Sequence, residues 1–284
     1  MHRINSRTKH AHASPKGRQA AMSRSCQAGN RSYDQRVPEE FNRKIFDHTS
    51  DFNIAYSEKS YDNLIREGLS PQKCFVSGSP LKEVYYKNSK KINNAKILEE
   101  LNLSKSEYIL LSCHRAENVS SKKFRIFLNE ISVEIRKKFP RIKLIVTGHP
   151  HLKKYQGDLS TFFENSLVLK PFGYFDYIKL QKNAFVVISD SGSISEESLS
   201  IGFRALNIRN SQERFEAFER GVPLVGANIG VILRYLEFWN SCGTVDSEFV
   251  ASEPPEYDVL NFSYRCVCML NGIVSMMSME TKSR

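Results

Sequence analysis

The sequence predicts an α/β fold built on a doubly wound parallel sheet, and three observations carry that prediction. Phe185-Val186-Val187-Ile188 is an unbroken apolar run, the pattern of a strand buried on both faces. Runs of this kind alternate with helical stretches, which requires right-handed crossovers. Four of the strands end in polar residues, at the carboxyl edge where open parallel sheets bind ligands.

The 284 residues are 40% hydrophobic, with 18 Phe and 12 Tyr, enough for roughly two domains with cores and too apolar for wholesale disorder. No apolar run approaches the ~18 residues that span a bilayer, and no apolar block follows the N-terminal charges as a signal peptide requires. A soluble cytoplasmic chain without a membrane partner is expected. The six cysteines are scattered, and the spacing of Cys266 and Cys268 is neither a zinc nor a redox signature, so reduced thiols are expected. A net charge of +10 would suit nucleic acid, but seven of the 41 Lys/Arg and none of the Asp/Glu fall in residues 1–33. The folded part is close to neutral, and no nucleic-acid partner is expected for it.

Taken in order, residues 1–27 read as a disordered basic tail without strand or helix period; a nucleic-acid arm or transit peptide stays open on composition alone. Pro38-Glu39-Glu40 starts a helix with Phe41, Ile45 and Phe46 as its apolar face. Phe52 to Tyr56 is a short strand, Ser57 caps a helix through Ile65 that Gly68 ends, and Cys74-Phe75-Val76 is a second short strand. These pieces hold too few strands for a sheet of their own. Gly78-Ser79-Pro80 marks a boundary, and a Lys-rich helical connector runs from Leu81 to about Leu103. The sheet domain follows, with strands near 108–112, 143–147, 167–169, 185–189 and 205–208. Helices are expected at 121–138, 152–163, 174–182 and 193–200, then near 231–239 and from about 259 to 277.

The chemistry-bearing residues gather at strand ends. Asp190, Ser191, Gly192 and Ser193 join a buried strand to a helix start, an arrangement whose free N–H groups and dipole suit a phosphate; a plain helix cap is the alternative. His114 follows the 108–112 strand and is a candidate acid, base or phosphate donor. Cys113 reads as a packed thiol rather than a nucleophile. His149 and His151 lack the further ligands of a metal site. Glu196 and Glu197 either complement the helix dipole or accept from ribose hydroxyls. Arg209 and Arg214 either clamp phosphate or pair with Glu213 or Glu216. Tyr174 and Tyr177 either stack on a base or pack in the core.

Seven stretches add to this reading. SCHRAENV (112–119), PFGYFDYIKL (171–180), SDSGSISEES (189–198), RNSQERFEAF (209–218) and LVGAN (224–228), in that order, resemble the non-hydrolysing UDP-N-acetylglucosamine 2-epimerases. GNRSYDQRVPEEFNRK (29–44) and PEYDVLNFSYR (255–265) look most like the branch that makes UDP-N-acetyl-L-fucosamine for surface polysaccharides. The resemblance implies a glycosyltransferase-B-like fold: a remnant of the N-terminal Rossmann-like domain at 28–80, a complete UDP-binding Rossmann-like domain at 81–255, and a helix at 256–284 packing back toward the first part. It implies a UDP-N-acetyl-hexosamine as substrate, with no nicotinamide and no metal. Family chemistry inverts carbon 2 by eliminating UDP to a 2-acetamidoglucal and adding it back. By position, Glu39 and His114 match catalytic residues; Ser191, Gly192 and Ser193 match the diphosphate turn and Arg214 the diphosphate arginine. Glu197 matches the ribose carboxylate, and Phe172 and Tyr177 positions lining the uracil pocket.

Three departures shape the expectation for activity. The family's Gly-Thr-Arg-Pro-Glu loop and a catalytic Asp have no counterpart; Gln27 stands where the family has Glu before Ala-Gly; Phe215 replaces the proline after Arg214. An N-terminally truncated product with impaired turnover is therefore expected, its last helix exposing apolar surface that favours association, with a homodimer left open. A non-catalytic UDP-sugar-binding remnant and a glycosyltransferase on the same scaffold are the alternatives.

Overall fold

The structure is a computed structural model that describes residues 24–34, 38–113, 115, 118, 120–147, 166–243 and 254–282. The chain forms two compact units, one of residues 1–78 with 265–284 and the other of residues 79–264.

In the first unit β1 (Arg24–Cys26), β2 (Phe52–Ala55) and β3 (Cys74–Val76) form a parallel sheet in that order. This corrects two expectations: the region does hold a sheet of its own, and its third strand comes from within the stretch read as tail. Arg-Ser-Cys is too short to show a period, and its extended form is fixed by pairing with β2, with Ser25 Oγ donating to Asp47 at 2.7 Å. Helix α1 (Pro38–Thr49) also departs from its pattern, because Phe41, Ile45 and Phe46 are exposed while Glu40 and Asp47 are buried. Polar contacts decide its orientation. Glu40 accepts from Ser32 N at 2.8 Å and Ser32 Oγ at 2.9 Å, and Asp47 accepts from Gly29 N at 3.0 Å.

Asp47 also pairs at 2.8 Å with Arg31, which is wholly buried and binds Glu67, the C-terminal cap of α2 (Glu58–Arg66), through Nε at 2.7 Å and Nη2 at 2.6 Å. Burial opposes the Arg31 charge, and bonds to Glu67 and Asp47 outweigh it, raising its pKa above the ordinary value. A small apolar cluster of Ala28, Ala55, Leu64 and Cys74 sits beside this ionic one. Ser57 caps α2 through Ser60 N, as its sequence foretold.

The second unit opens with α3 (Leu81–Asn93) and α4 (Ile97–Glu100). Its sheet comprises β4 (Tyr108–Ser112), β5 (Lys143–Thr147), β6 (Leu167–Leu169), β7 (Val186–Ser189) and β8 (Ala205–Asn207), all parallel in the order β6-β5-β4-β7-β8. Alternate residues of β4 and β7 point to opposite faces, so both strands need apolar residues throughout. Ile109, Leu111, Val186 and Ile188 meet α5 (Lys122–Lys138) and α9 (Ile229–Ser241) through Leu128, Ile131, Ile232 and Leu236. Tyr108, Leu110 and Val187 meet Leu180 of α6 (Tyr174–Asn183) and Ile194 and Leu199 of α7 (Ile194–Ile201) on the other face. The short α8 (Phe215–Glu219) also belongs to this unit, and the 21-residue α10 (Phe262–Lys282) falls mostly in the first. The helix expected over 152–163 lies outside the described residues. Among the described residues, no helix is long and apolar enough to cross a membrane.

Candidate functional site

Strand order places a topological reversal between β4 and β7: from β4 the chain reaches β5 on one side, and β7 returns on the other. Crevices at such points, beyond the carboxyl ends of the strands, are where doubly wound sheets bind ligands. The loops after β4 and β7 meet there. Asp190, fully buried at the end of β7, accepts from Arg115 N and from Asn118 Nδ2, both at 3.1 Å. Cys113 is buried beside them, and burial together with the Asp190 charge raises its thiol pKa well above the ordinary value. It is a packed thiol, as its sequence context indicated. His114 lies outside the described residues, as do His149 and His151.

The turn from β7 to α7 is self-bonded. Ser191 N donates to Ser189 Oγ at 3.1 Å, and the Ser191 and Ser193 hydroxyls lie 3.0 Å apart. Ser193 precedes α7 but makes no side-chain cap bond; its hydroxyl donates instead to Glu197 Oε1 at 2.6 Å. Glu197 Oε2 accepts from Gln181 Nε2 of α6 at 2.7 Å. Tyr177, on the same helix, bonds Ser112 at the end of β4, and burial followed by the Glu197 charge raises its phenol above its ordinary pKa. Phe172 is half-buried just ahead of α6, and Tyr174 at its first turn is exposed.

Three guanidinium groups surround Gly192. Arg214 Nη1 donates to the Gly192 carbonyl at 3.3 Å, and a Cβ on Gly192 would lie 3.4 Å from Arg209 Nη1 and 3.5 Å from Arg115 Nη2. Arg209 is buried and held in a bidentate pair with Glu213, both bonds 2.9 Å. Of the two readings for this arginine, pairing with Glu213 is realised. Arg214 pairs with Glu196 Oε2, at 2.6 Å. Burial opposes its charge, and Glu196, Tyr257, Glu213 and Glu216 outweigh that effect and raise its pKa. Glu216 in turn accepts from the Tyr257 hydroxyl at 2.6 Å.

The structure thus brings together Ser191, Gly192, Ser193, Glu197 and Arg214 at one end of the second unit's sheet, with Tyr177 linked to β4 at the same end. Glu39 belongs to the first unit, exposed in the first turn of α1 next to the buried Glu40. Sequence reasoning missed Asp190 as the tie between two loops, Gln181 as a partner of Glu197, and Glu196 as the partner of Arg214. Asp190 stood inside the turn motif, so its burial at a strand end was the available signal; the other two are long-range pairings that no local pattern reveals. Backbone N–H groups at the start of a helix, flanked by arginines and hydroxyls, have the chemistry that suits a phosphorylated ligand, and a carboxylate such as Glu197 beside them has the chemistry to accept from hydroxyls.

The family profile described as UDP-N-acetylglucosamine 2-epimerase matches residues 26–243. A curated protein of that description from Methanocaldococcus jannaschii is 32% identical over 220 residues, which are 74% of this chain and 60% of that protein. The structure of a UDP-N-acetylglucosamine 2-epimerase from Rickettsia bellii superposes with a TM-score of 0.76 at 34% identity, covering 89% of this chain and 67% of the other. The Methanocaldococcus jannaschii epimerase, solved in complex with UDP-GlcNAc and UDP, superposes with a TM-score of 0.74 at 28% identity, covering 87% and 68%. The α/β architecture with parallel sheets is that of these glycosyltransferase-B-like structures. The chain spans about six tenths of the length of the curated relatives it matches.

Proposed function

The chain belongs to the UDP-N-acetylglucosamine 2-epimerase family, and from that premise we propose that it binds a UDP-N-acetyl-hexosamine and inverts carbon 2 of the sugar. The observation that carries the reading is the cluster of Arg115, Arg209 and Arg214 about the Gly192 turn, at the N-terminus of α7. In this reading Ser191, Gly192, Ser193 and Arg214 hold the diphosphate. Glu197 accepts from the ribose, and Phe172 and Tyr177 line the uracil pocket. His114 and Glu39 serve as acid and base.

The reaction breaks the bond between carbon 1 and the UDP oxygen as the proton on carbon 2 is removed, giving a 2-acetamidoglucal. UDP then adds back to carbon 1 while a proton reaches carbon 2 from the opposite face. Donors aimed at the leaving diphosphate lower that barrier, because charge develops there as the bond breaks. The 29–44 and 255–265 stretches favour the branch that makes UDP-N-acetyl-L-fucosamine for surface polysaccharides in the cytoplasm. Exposed Phe41 and Ile45 on α1, with Val267 and Val274 on α10, favour self-association.

Purified protein with UDP-N-acetylglucosamine or its 6-deoxy analogue in deuterium oxide, followed by proton NMR, tests the reading. Inversion at carbon 2 with deuterium incorporation is expected. UDP release only on addition of a sugar acceptor would make the protein a glycosyltransferase instead. A second reading, UDP-sugar binding without turnover, is favoured by Gln27, whose amide cannot exchange a proton as the family's carboxylate does. Binding with no deuterium uptake would select it.

A further inference from the structure

Glu196 and Glu197 are adjacent in sequence, yet they do different things. Glu197 faces the turn hydroxyl of Ser193. Glu196 is only 2% exposed and has both oxygens occupied: Oε1 accepts from the Ser79 hydroxyl and Oε2 pairs with Arg214 Nη2 at 2.6 Å. Ser79 is itself fully buried and fixed by its N–H, which donates to the Glu256 carbonyl at 2.7 Å. Arg214 precedes a helix of only five residues, so no long regular element sets its direction. Its side chain is held at two points, Nη2 by Glu196 and Nη1 by the Gly192 carbonyl.

Resting on the reading that this turn seats the diphosphate of UDP, we propose that Glu196 is a positioning residue, anchored by Ser79, that aims the Arg214 guanidinium at the diphosphate without touching the ligand. An arginine side chain surrenders much rotamer freedom when it grips a ligand, and a buried carboxylate that fixes it beforehand removes that cost from binding. The alternative is a carboxylate that merely complements the α7 dipole; neutralising such a residue removes a negative charge near the anion and would leave UDP affinity unchanged or raise it.

The test compares UDP with uridine, which lacks the diphosphate, by titration calorimetry of the full chain. Wild type is expected to bind UDP at least a hundredfold more tightly than uridine. In Glu196→Gln, UDP affinity is expected to fall about tenfold with uridine affinity within twofold of wild type, so the preference narrows by about tenfold. Ser79→Ala is expected to narrow it about threefold, and this arm carries the test if Glu196→Gln fails to fold. In an Arg214→Ala background, Glu196→Gln is expected to add nothing, because the two residues act as one unit. An unchanged UDP-to-uridine preference in both single variants, or a full additional loss in the Arg214→Ala background, overturns the proposal. Wild type that does not distinguish UDP from uridine overturns the diphosphate seat itself, and this inference with it.

Discussion

Replacing Gly192 by alanine separates stability from ligand binding at the centre of the site. Gly192 does not have a positive φ, and an added Cβ would meet Arg209 Nη1 at 3.4 Å and Arg115 Nη2 at 3.5 Å, both ordinary contact distances. The unliganded fold therefore accommodates the methyl at a cost below about 1 kcal/mol. An anionic oxygen bonded to those guanidinium groups at about 2.9 Å would need the same space. Each such charge-assisted bond is worth about 1.5–3 kcal/mol. With one of the two lost and the other lengthened, binding weakens by about 2–3 kcal/mol, roughly 30- to 150-fold in Kd. Titration calorimetry with UDP measures this directly, and thermal denaturation without ligand supplies the control. A variant that binds UDP within threefold of wild type would refute the reasoning, since the space over Gly192 would then not be the anion seat.

The other predictions concern both units. Arg214→Ala and His114→Ala are each expected to weaken UDP binding about tenfold or more by the same titration, and unchanged affinity in both would remove the site assignment. Arg31→Met leaves Asp47 and Glu67 without their shared cation and is expected to destabilise the first unit by about 3–5 kcal/mol, read from urea unfolding by circular dichroism. Glu67 is held below its usual pKa chiefly by its bonds to Arg31. Its stabilising contribution is therefore full above the unfolded carboxyl value of about 4.3 and is lost as pH falls through the lower folded value. Thermal unfolding of Glu67→Gln across this range is expected to show a shallower acid-side decline than wild type.

The legible parts of the molecule were those fixed by local pattern. Phe185 to Ile188 announced a strand covered on both faces, and the structure buries Val186 and Ile188 against one helical layer and Val187 against the other. The small-residue turn after it was visible because cap and turn residues follow the apolar run directly. What stayed hidden depends on partners distant in sequence. Residues 24–26 became a strand because β2 lies beside them, not because their own residues favour one. Helix α1 turns Phe41 outward because Glu40 and Asp47 are bound from within, a case of polar bonds overriding the hydrophobic pattern. Glu196 was legible as an acid in a first helical turn, but its pairing with an arginine 18 residues later required the folded chain.

Hydrogen–deuterium exchange of the intact protein, with and without UDP, addresses the central claim most directly. Slowed exchange in peptides spanning 112–119, 171–180, 189–198 and 209–216 is the expected result. Equal exchange in those peptides with UDP at saturation, or protection appearing only elsewhere in the chain, would contradict it.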